Sequence, residues 1–323
     1  MRAVIPIRES NRVFTVIIPV FNEEGNIKIL HERLTKVLLN MASSYEIIFV
    51  DDGSTDNTYD LLKDLCQNDD RVKVVRLTRN FGQHAAVLAG FNVARGSVII
   101  TIDADLQNPP EEIPRLLNKM DEGYEVVFGI FKREHEPFYR RIGSAFTKWV
   151  LSRLLPSLPT NLSGFRILRS FVVDELKALG ERSMFIDGPL CWMGFKIATV
   201  DVKRDKRLAG KSKYNLFKLI NYWLDLVISL TNLPLKIAML SGIILGLVGL
   251  LLAFIYLVGY LLKGYPVQGF ATTVIFITVF SGVQLFCLGI IGEYIGRINL
   301  EVRNKPKYIV RELLNIHYTN HVK

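Results

Sequence analysis

The chain has 323 residues, half of them hydrophobic, and a formal net charge of +9 at pH 7. That length admits one large domain or two, and the hydrophobic content is high for a soluble protein. The basic balance does not point to nucleic acid, because the lysines and arginines cluster beside two long apolar stretches, where anionic lipid headgroups attract them.

In chain order, Val13 to Val20, Tyr45 to Val50, Val72 to Leu77, Val98 to Ile102 and Glu125 to Ile130 read as strands. Helical patterns lie between them, starting near Glu24, Asp56, Gly82 and Pro110. This alternation predicts an α/β domain with a mostly parallel, doubly wound sheet. The first apolar stretch is short and runs into Asn22-Glu23-Glu24, so it is expected as a strand and not as a signal peptide.

Three strand ends carry polar clusters: Pro19-Val20-Phe21-Asn22-Glu23, Asp51-Asp52-Gly53-Ser54 and Asp103-Ala104-Asp105. In a parallel sheet such ends converge on one edge and make a single pocket from distant segments. No GxGxxG follows the first strand, and no GxxxxGK precedes a Ser or Thr, which disfavours a dinucleotide oxidoreductase and a P-loop nucleotidase. In Asp103-Ala104-Asp105-Leu106-Gln107, two carboxylates and an amide follow an apolar strand. These hard oxygen ligands suit Mg²⁺ or Mn²⁺ better than zinc, together with a diphosphate that the cation neutralises. The plain alternative is an acidic turn capping the helix that Pro109 and Pro110 start. Cys66, Cys191 and Cys287 are widely spaced and form no metal or redox motif.

Further along, Phe138 to Leu151 and Tyr214 to Leu230 mix cations with aromatics at near-helical spacing, as helices lying in a membrane interface do. Such helices are expected near 138–155 and 214–230. From Ile237 to Leu262, and again from Gly269 to Gly292, no side chain is charged, and each stretch exceeds the roughly 20 residues a membrane span needs. Lys203, Arg204, Lys206, Arg207, Lys211, Lys213 and Lys218 precede the first stretch. Arg297, Arg303, Lys305, Lys307 and Arg311 follow the second, whereas the joining loop holds only Lys263. That asymmetry predicts two membrane spans with both termini cytoplasmic. The expected division is a sheet-bearing domain over 1–232, a hairpin over 233–296 and a basic cytoplasmic tail over 297–323. Gly242, Gly246 and Gly249 would let spans pack closely, which leaves a homo-oligomer open.

The three strand-end motifs, with Leu106-Gln107-Asn108-Pro109-Pro110-Glu111 continuing the third, resemble those of family-two glycosyltransferases of the GT-A fold. More narrowly the chain resembles the polyprenyl-phosphate glycosyltransferases. Arg79-Asn80-Phe81-Gly82-Gln83-His84 and Ala89-Gly90-Phe91 are most similar to the undecaprenyl-phosphate formamido-arabinose transferases, and Gly289 to Arg297 with Pro306-Lys307-Tyr308 fits the two-span bacterial members. The resemblance covers nearly the whole chain.

Carried over residue by residue, it implies that Asp105 and Gln107 hold the metal, with Asp103 beside them near the ribose and diphosphate. Pro19, Phe21, Glu23 and Asp52 would line the nucleotide pocket. Asp52 has a second reading as a cap for the helix after the second strand, and Glu23 as a charge at the positive end of the next helix. Ser163-Gly164-Phe165-Arg166 and Arg207 to Tyr214 resemble acceptor-phosphate and gating segments, which makes Arg140, Ser163, Arg166, Arg207 and Lys213 the candidates for phosphate contacts. Some relatives carry Gly-Asp-Phe-Arg where this chain has Ser163-Gly164-Phe165-Arg166, so a base at that position is in question. None is required, since a phosphate monoester with a second pKa of about 6 is already largely a dianion at neutral pH. His84 is set aside as a packing or capping residue.

The expected activity is inverting transfer of one sugar from a nucleotide-sugar donor, UDP-linked, to undecaprenyl phosphate at the cytoplasmic face. Membrane lipids are partners, and nucleic acid is not. The alternatives are a processive polysaccharide synthase, disfavoured by the two spans and the lack of a Gln-x-x-Arg-Trp segment, and a non-catalytic nucleotide-sugar-binding scaffold.

Overall fold

The computed structural model describes residues 12–41, 44–131, 164–178, 186–203, 205, 233–263, 269–302 and 305–316. The chain divides into two compact units, Met1–Ser212 with Pro306–Lys323, and Lys213–Lys305.

The first unit is built on strands β1 (Val13–Val20), β2 (Ser44–Asp51), β3 (Val72–Leu77), β4 (Val98–Thr101), β5 (Val126–Phe131), β6 (Arg166–Arg169), β7 (Ile197–Val202) and β8 (Val310–Leu314). They form one sheet in the order β7-β5-β6-β4-β1-β2-β3-β8. The pairs β1–β2, β1–β4, β2–β3 and β5–β7 are parallel, whereas β6 runs antiparallel between β4 and β5, and β8 antiparallel beside β3. Around them lie helices α1 (Ile27–Met41), α2 (Thr58–Asn68), α3 (Gln83–Val93), α4 (Ile113–Asp121), α5 (Ser170–Ala178) and α6 (Asp187–Trp192).

Burial explains the pattern. Tyr45 to Asp51 are all buried, because a central parallel strand is covered on both faces. The sheet separates two cores, one containing Val16, Ile18, Ile47 and Phe49 and the other Ile17, Ile48, Val50 and Val75. Helix α1 presents Ile27, Leu30, Leu34 and Leu38 to the first at helical spacing. Helix α3 closes tightly on the second: a Cβ on Gly90 would lie 2.4 Å from a methyl of Ile17. Gly90 thereby fixes the height of α3 over the sheet, and with it the position of Gln83 at its first turn.

The register sets the functional edge. Val20 lies opposite Asp51, Asp51 opposite Arg76, and Ile17 opposite Thr101, so the segments after β1, β2, β3 and β4 emerge on the same side. Helix starts fall slightly later than expected: residues 24–26 form a turn before α1, and Pro110–Glu112 form a 3-10 turn before α4. Strand β8 falls inside the stretch expected as a tail.

The second unit contains α7 (Leu233–Lys263) and α8 (Phe270–Val302). Pro234–Leu252 has a mean hydropathy of 2.3 and Val279–Gly296 of 1.5; 6% of the first window is buried and none of the second. A soluble core helix would be covered, so helices this long and apolar are suited to lipid. Gly249 meets Phe280 between the two helices, while Gly242 and Gly246 have open space around them. Helix α8 continues beyond the expected span end at Gly292 through Glu293, Arg297 and Glu301. The expected interfacial helices near 138–155 and 214–230 lie outside the described residues.

Candidate active site

The loops after β1 and β2 are bound to one another. Asn22 adopts a left-handed backbone, with φ of 57°, a conformation asparagine tolerates better than most residues. Its N–H donates to Ser54 Oγ at 3.0 Å, and its Oδ1 accepts from Thr55 N at 2.8 Å. Glu23 N donates to Thr58 Oγ1 at 2.9 Å, and the Glu23 carboxylate accepts from Asn26 Nδ2 at 2.6 Å. Phe21, 40% exposed, is left as an accessible aromatic face at this edge, and Pro19 is half-buried beneath it in β1.

Asp52 is buried, and its two carboxylate oxygens accept from Phe81 N at 2.7 Å and Gly82 N at 2.8 Å. It therefore holds the loop between β3 and α3, not the start of the helix after β2, which corrects the capping alternative. Burial pushes its carboxyl up, and the two amides draw it partly back. Gly53, at φ of 71°, allows the same approach: a Cβ there would sit 2.6 Å from the Arg79 carbonyl carbon.

The third cluster is a tight turn. Asp105 Oδ1 accepts Gln107 N at 3.1 Å, and the fully buried Leu106 between them has a φ of 60°. A left-handed leucine costs about 1–2 kcal/mol, and its buried side chain offsets that strain. The turn thus brings Asp105 and Gln107 together at the end of β4.

Asp103 is gripped from three elements. Gln83 Nε2 of α3 donates to Oδ1 at 2.5 Å, Asn108 Nδ2 donates to Oδ2 at 3.3 Å, and Gly164 lies so near that a Cβ would fall 2.6 Å from Oδ1. Thr101 Oγ1 donates to the Gly164 carbonyl at 2.6 Å and accepts Arg166 Nε at 3.2 Å. Burial, with the neighbouring Asp105 carboxylate, pushes the Asp103 carboxyl up to about 6; the charge of Arg166 and the two amides oppose the rise. Arg166 is itself buried, so its guanidinium serves as counter-charge to Asp103.

Among the described residues no three of His, Cys, Asp or Glu gather as a metal site. Mg²⁺ and Mn²⁺ take one or two carboxylates and complete their shell with water and substrate phosphates. Asp105 and Gln107, with Asp103 adjacent, supply oxygens of the required kind.

The structure brings Pro19, Phe21, Glu23, Asp52, Asp103, Asp105 and Gln107 to one sheet edge and places Arg166 behind it. Arg140, Ser163, Arg207 and Lys213 lie outside the described residues. Gln83, Asn108 and Gly164 were not singled out, because their part in the site is a spatial approach to Asp103 that no spacing reveals. A further support is Arg33 of α1, whose guanidinium holds Glu111 at 2.7 and 2.9 Å and Asp205 at 3.1 Å, while Asp205 N donates to the Gln107 carbonyl at 3.1 Å.

Residues 15–177 match the model of glycosyl transferase family 2. The uncharacterized glycosyltransferase YkcC of Bacillus subtilis is 38% identical over 94% of each chain. The undecaprenyl-phosphate 4-deoxy-4-formamido-L-arabinose transferase of Edwardsiella ictaluri is 38% identical, over 93% of this chain and 94% of that one. Its counterpart in Pseudomonas fluorescens is 39% identical, over 93% and 89%. The chain belongs to glycosyltransferase family 2 and carries the family's GT-A-like, mostly parallel sheet.

Proposed function

We propose that this family-two glycosyltransferase moves a single sugar from a nucleotide-sugar, UDP-linked, to undecaprenyl phosphate at the cytoplasmic face of the inner membrane, inverting the anomeric centre. The observation that carries the reading is the convergence of Asp52, Asp103, Asp105 and Gln107 at the carboxyl edge of the sheet, where open α/β sheets bind their ligands. The two apolar helices and the relatives that act on undecaprenyl phosphate support a lipid acceptor reached at the membrane.

On this reading Phe21 and the Asp52-held loop bind the nucleoside. Asp105 and Gln107, with Asp103 beside them, hold Mg²⁺ or Mn²⁺. The bound cation would offset negative charge gathering on the departing diphosphate. An acceptor phosphate oxygen attacks the anomeric carbon as the bond to the diphosphate breaks, and Arg140, Ser163, Arg166, Arg207 and Lys213 belong to the acceptor side. The acceptor dianion needs no base, so Asp103 and Asp105, the catalytic residues on this reading, act at the cation and the diphosphate. Gln83 and Asn108 hold Asp103 in one orientation, and Arg166 favours its ionised form at neutral pH.

The test is a donor screen with purified full-length protein, Mg²⁺ or Mn²⁺, and undecaprenyl phosphate. A lipid carrying one sugar supports the reading and identifies donor and acceptor together. A growing polymer points to a processive synthase, and nucleotide binding without turnover to a scaffold.

A further inference from the structure

The segment after the second apolar helix returns to the sheet. Strand β8 lies along β3 with Glu312 opposite Arg76, and Ile309 accepts Thr78 N at 2.9 Å through its carbonyl. Tyr308 hydroxyl bonds Asn92 of α3, and Asn315 Nδ2 donates to the carbonyls of Cys66 at 2.8 Å and Val72 at 3.0 Å. The strand is thus fastened at both ends; its first three residues are exposed, while the half-buried Leu313 and Leu314 pack against the two cores.

Its charged side chain Glu312 meets α2 at Tyr59. Tyr59, in the first turn of α2, donates its hydroxyl to Glu312 Oε2 at 2.7 Å. Burial and the Glu312 carboxylate push the phenol up to about 12, so it remains a donor throughout the physiological range. The Arg76 guanidinium lies 3.7 Å over the same ring, with its Nε 3.5 Å from Asp51 Oδ2. Asp51 is fully buried, and that oxygen has no hydrogen-bond partner, so Arg76 is the cation compensating its charge. The other oxygen accepts Ser54 N at 2.9 Å, and Ser54 Oγ accepts Asn22 N. An unbroken series of contacts therefore leads from β8 to both loops of the candidate donor pocket.

We propose that Tyr59 and Arg76 are positioning residues for the donor site, with Glu312 as their anchor, so that the segment following the second span sets the geometry of the 51–54 loop. The inference rests on the reading of this sheet edge as the nucleotide-sugar pocket. A single hydroxyl-to-carboxylate bond links strand to ring, so removing either partner has the same consequence.

The experiment uses full-length protein in lipid nanodiscs and the variants Tyr59→Phe, Glu312→Ala and the double variant. Hydrogen exchange is read over residues 51–57, and calorimetry measures binding of UDP with Mn²⁺. Each single variant is expected to speed exchange there and weaken UDP binding about 3- to 10-fold, with the double variant no worse than either single one. The KM for undecaprenyl phosphate and the melting temperature should stay near wild type, a split that general destabilisation would not produce. Unchanged exchange over 51–57, multiplying effects in the double variant, or equal losses toward donor and lipid would overturn the proposal. Wild-type protein that fails to bind UDP while the variants speed exchange would sink the UDP reading and leave the positioning role standing.

Discussion

Gly164→Ala probes the site with the smallest possible change. The added Cβ would stand 2.6 Å from Asp103 Oδ1, 3.0 Å from Oδ2 and 3.1 Å from Cγ, so the methyl and the carboxylate cannot both keep their places. Gly164 is tied down through its carbonyl to Thr101 Oγ1, and Phe165 behind it is fully buried, so the carboxylate is the part that yields. Relief needs a movement on the order of 1 Å, enough to break the bonds from Gln83 and Asn108, each contributing about 0.5–1.5 kcal/mol. A misplacement of that size at a reacting centre lowers turnover by about 10²-fold, equivalent to ~2.7 kcal/mol of barrier.

The expected result is a 10- to 100-fold loss in kcat/KM for the donor, a raised half-saturating Mn²⁺ concentration and a melting-temperature loss of no more than about 10 °C. Transfer assays across donor and metal concentrations, paired with thermal unfolding, separate the effects. Wild-type kcat/KM with an unchanged metal requirement would refute the claim that Asp103 must sit where it does. Unfolding at room temperature would show that the contact is structural.

Asp105→Asn should abolish transfer while the protein still folds and inserts, since an amide lacks the charge a divalent cation needs; normal turnover at saturating Mg²⁺ and Mn²⁺ would remove Asp105 from the metal site. Because the Asp103 carboxyl is pushed up to about 6, a proton competes with the cation below that pH. Mn²⁺ affinity measured by calorimetry should therefore rise from pH 5.5 to 7.5 in wild type and stay flat in Asp103→Asn, and a flat wild-type profile contradicts the assignment. Burial alone would raise the Glu46 carboxyl, but hydrogen bonds from Lys73, Thr15 and the Arg95 N–H outweigh it and hold it below the ordinary glutamate value. Its stabilisation is present above that ordinary value and lost as pH falls through the lowered one, so Glu46→Gln should cost about 1–3 kcal/mol at pH 7 and progressively less in acid. A cost that grows on acidification would reverse the sign. A cysteine at Gln268 should react with an impermeant reagent outside intact cells while tags at both termini stay protected, and external labelling of a terminus would overturn the orientation.

What could be read in advance follows a physical division. Strands β1 to β5 are rich in apolar residues, broken only by single polar positions such as Glu46, Lys73 and Arg76, because strands inside the sheet are largely buried on both faces, and their limits agree with the sequence pattern to within a residue or so. Strand β6 escaped notice because Arg166-Ile167-Leu168-Arg169 is four residues long with charge at both ends, and its partners β4 and β5 lie far upstream. Strand β7 alternates weakly and has Asp201 within it. Basic composition made the last segment look like a tail, whereas an edge strand tolerates charged side chains such as Arg311 and Glu312.

The site divides the same way. Asp103, Asp105 and Asp52 announce themselves by chemistry and by their place at strand ends, but the residues that orient them are ordinary in type. Gln83 could be any helix-start amide, Gly164 any loop glycine and Arg76 any surface-strand cation. They become specific only when the sheet sets α3 over β1 and β2, β6 beside β4 and β8 beside β3. Local pattern thus exposes the groups that would touch a ligand, while the groups holding them in place come from long-range pairing. That is why the carboxylates follow from spacing, and why a single methyl at Gly164 tests the arrangement around them.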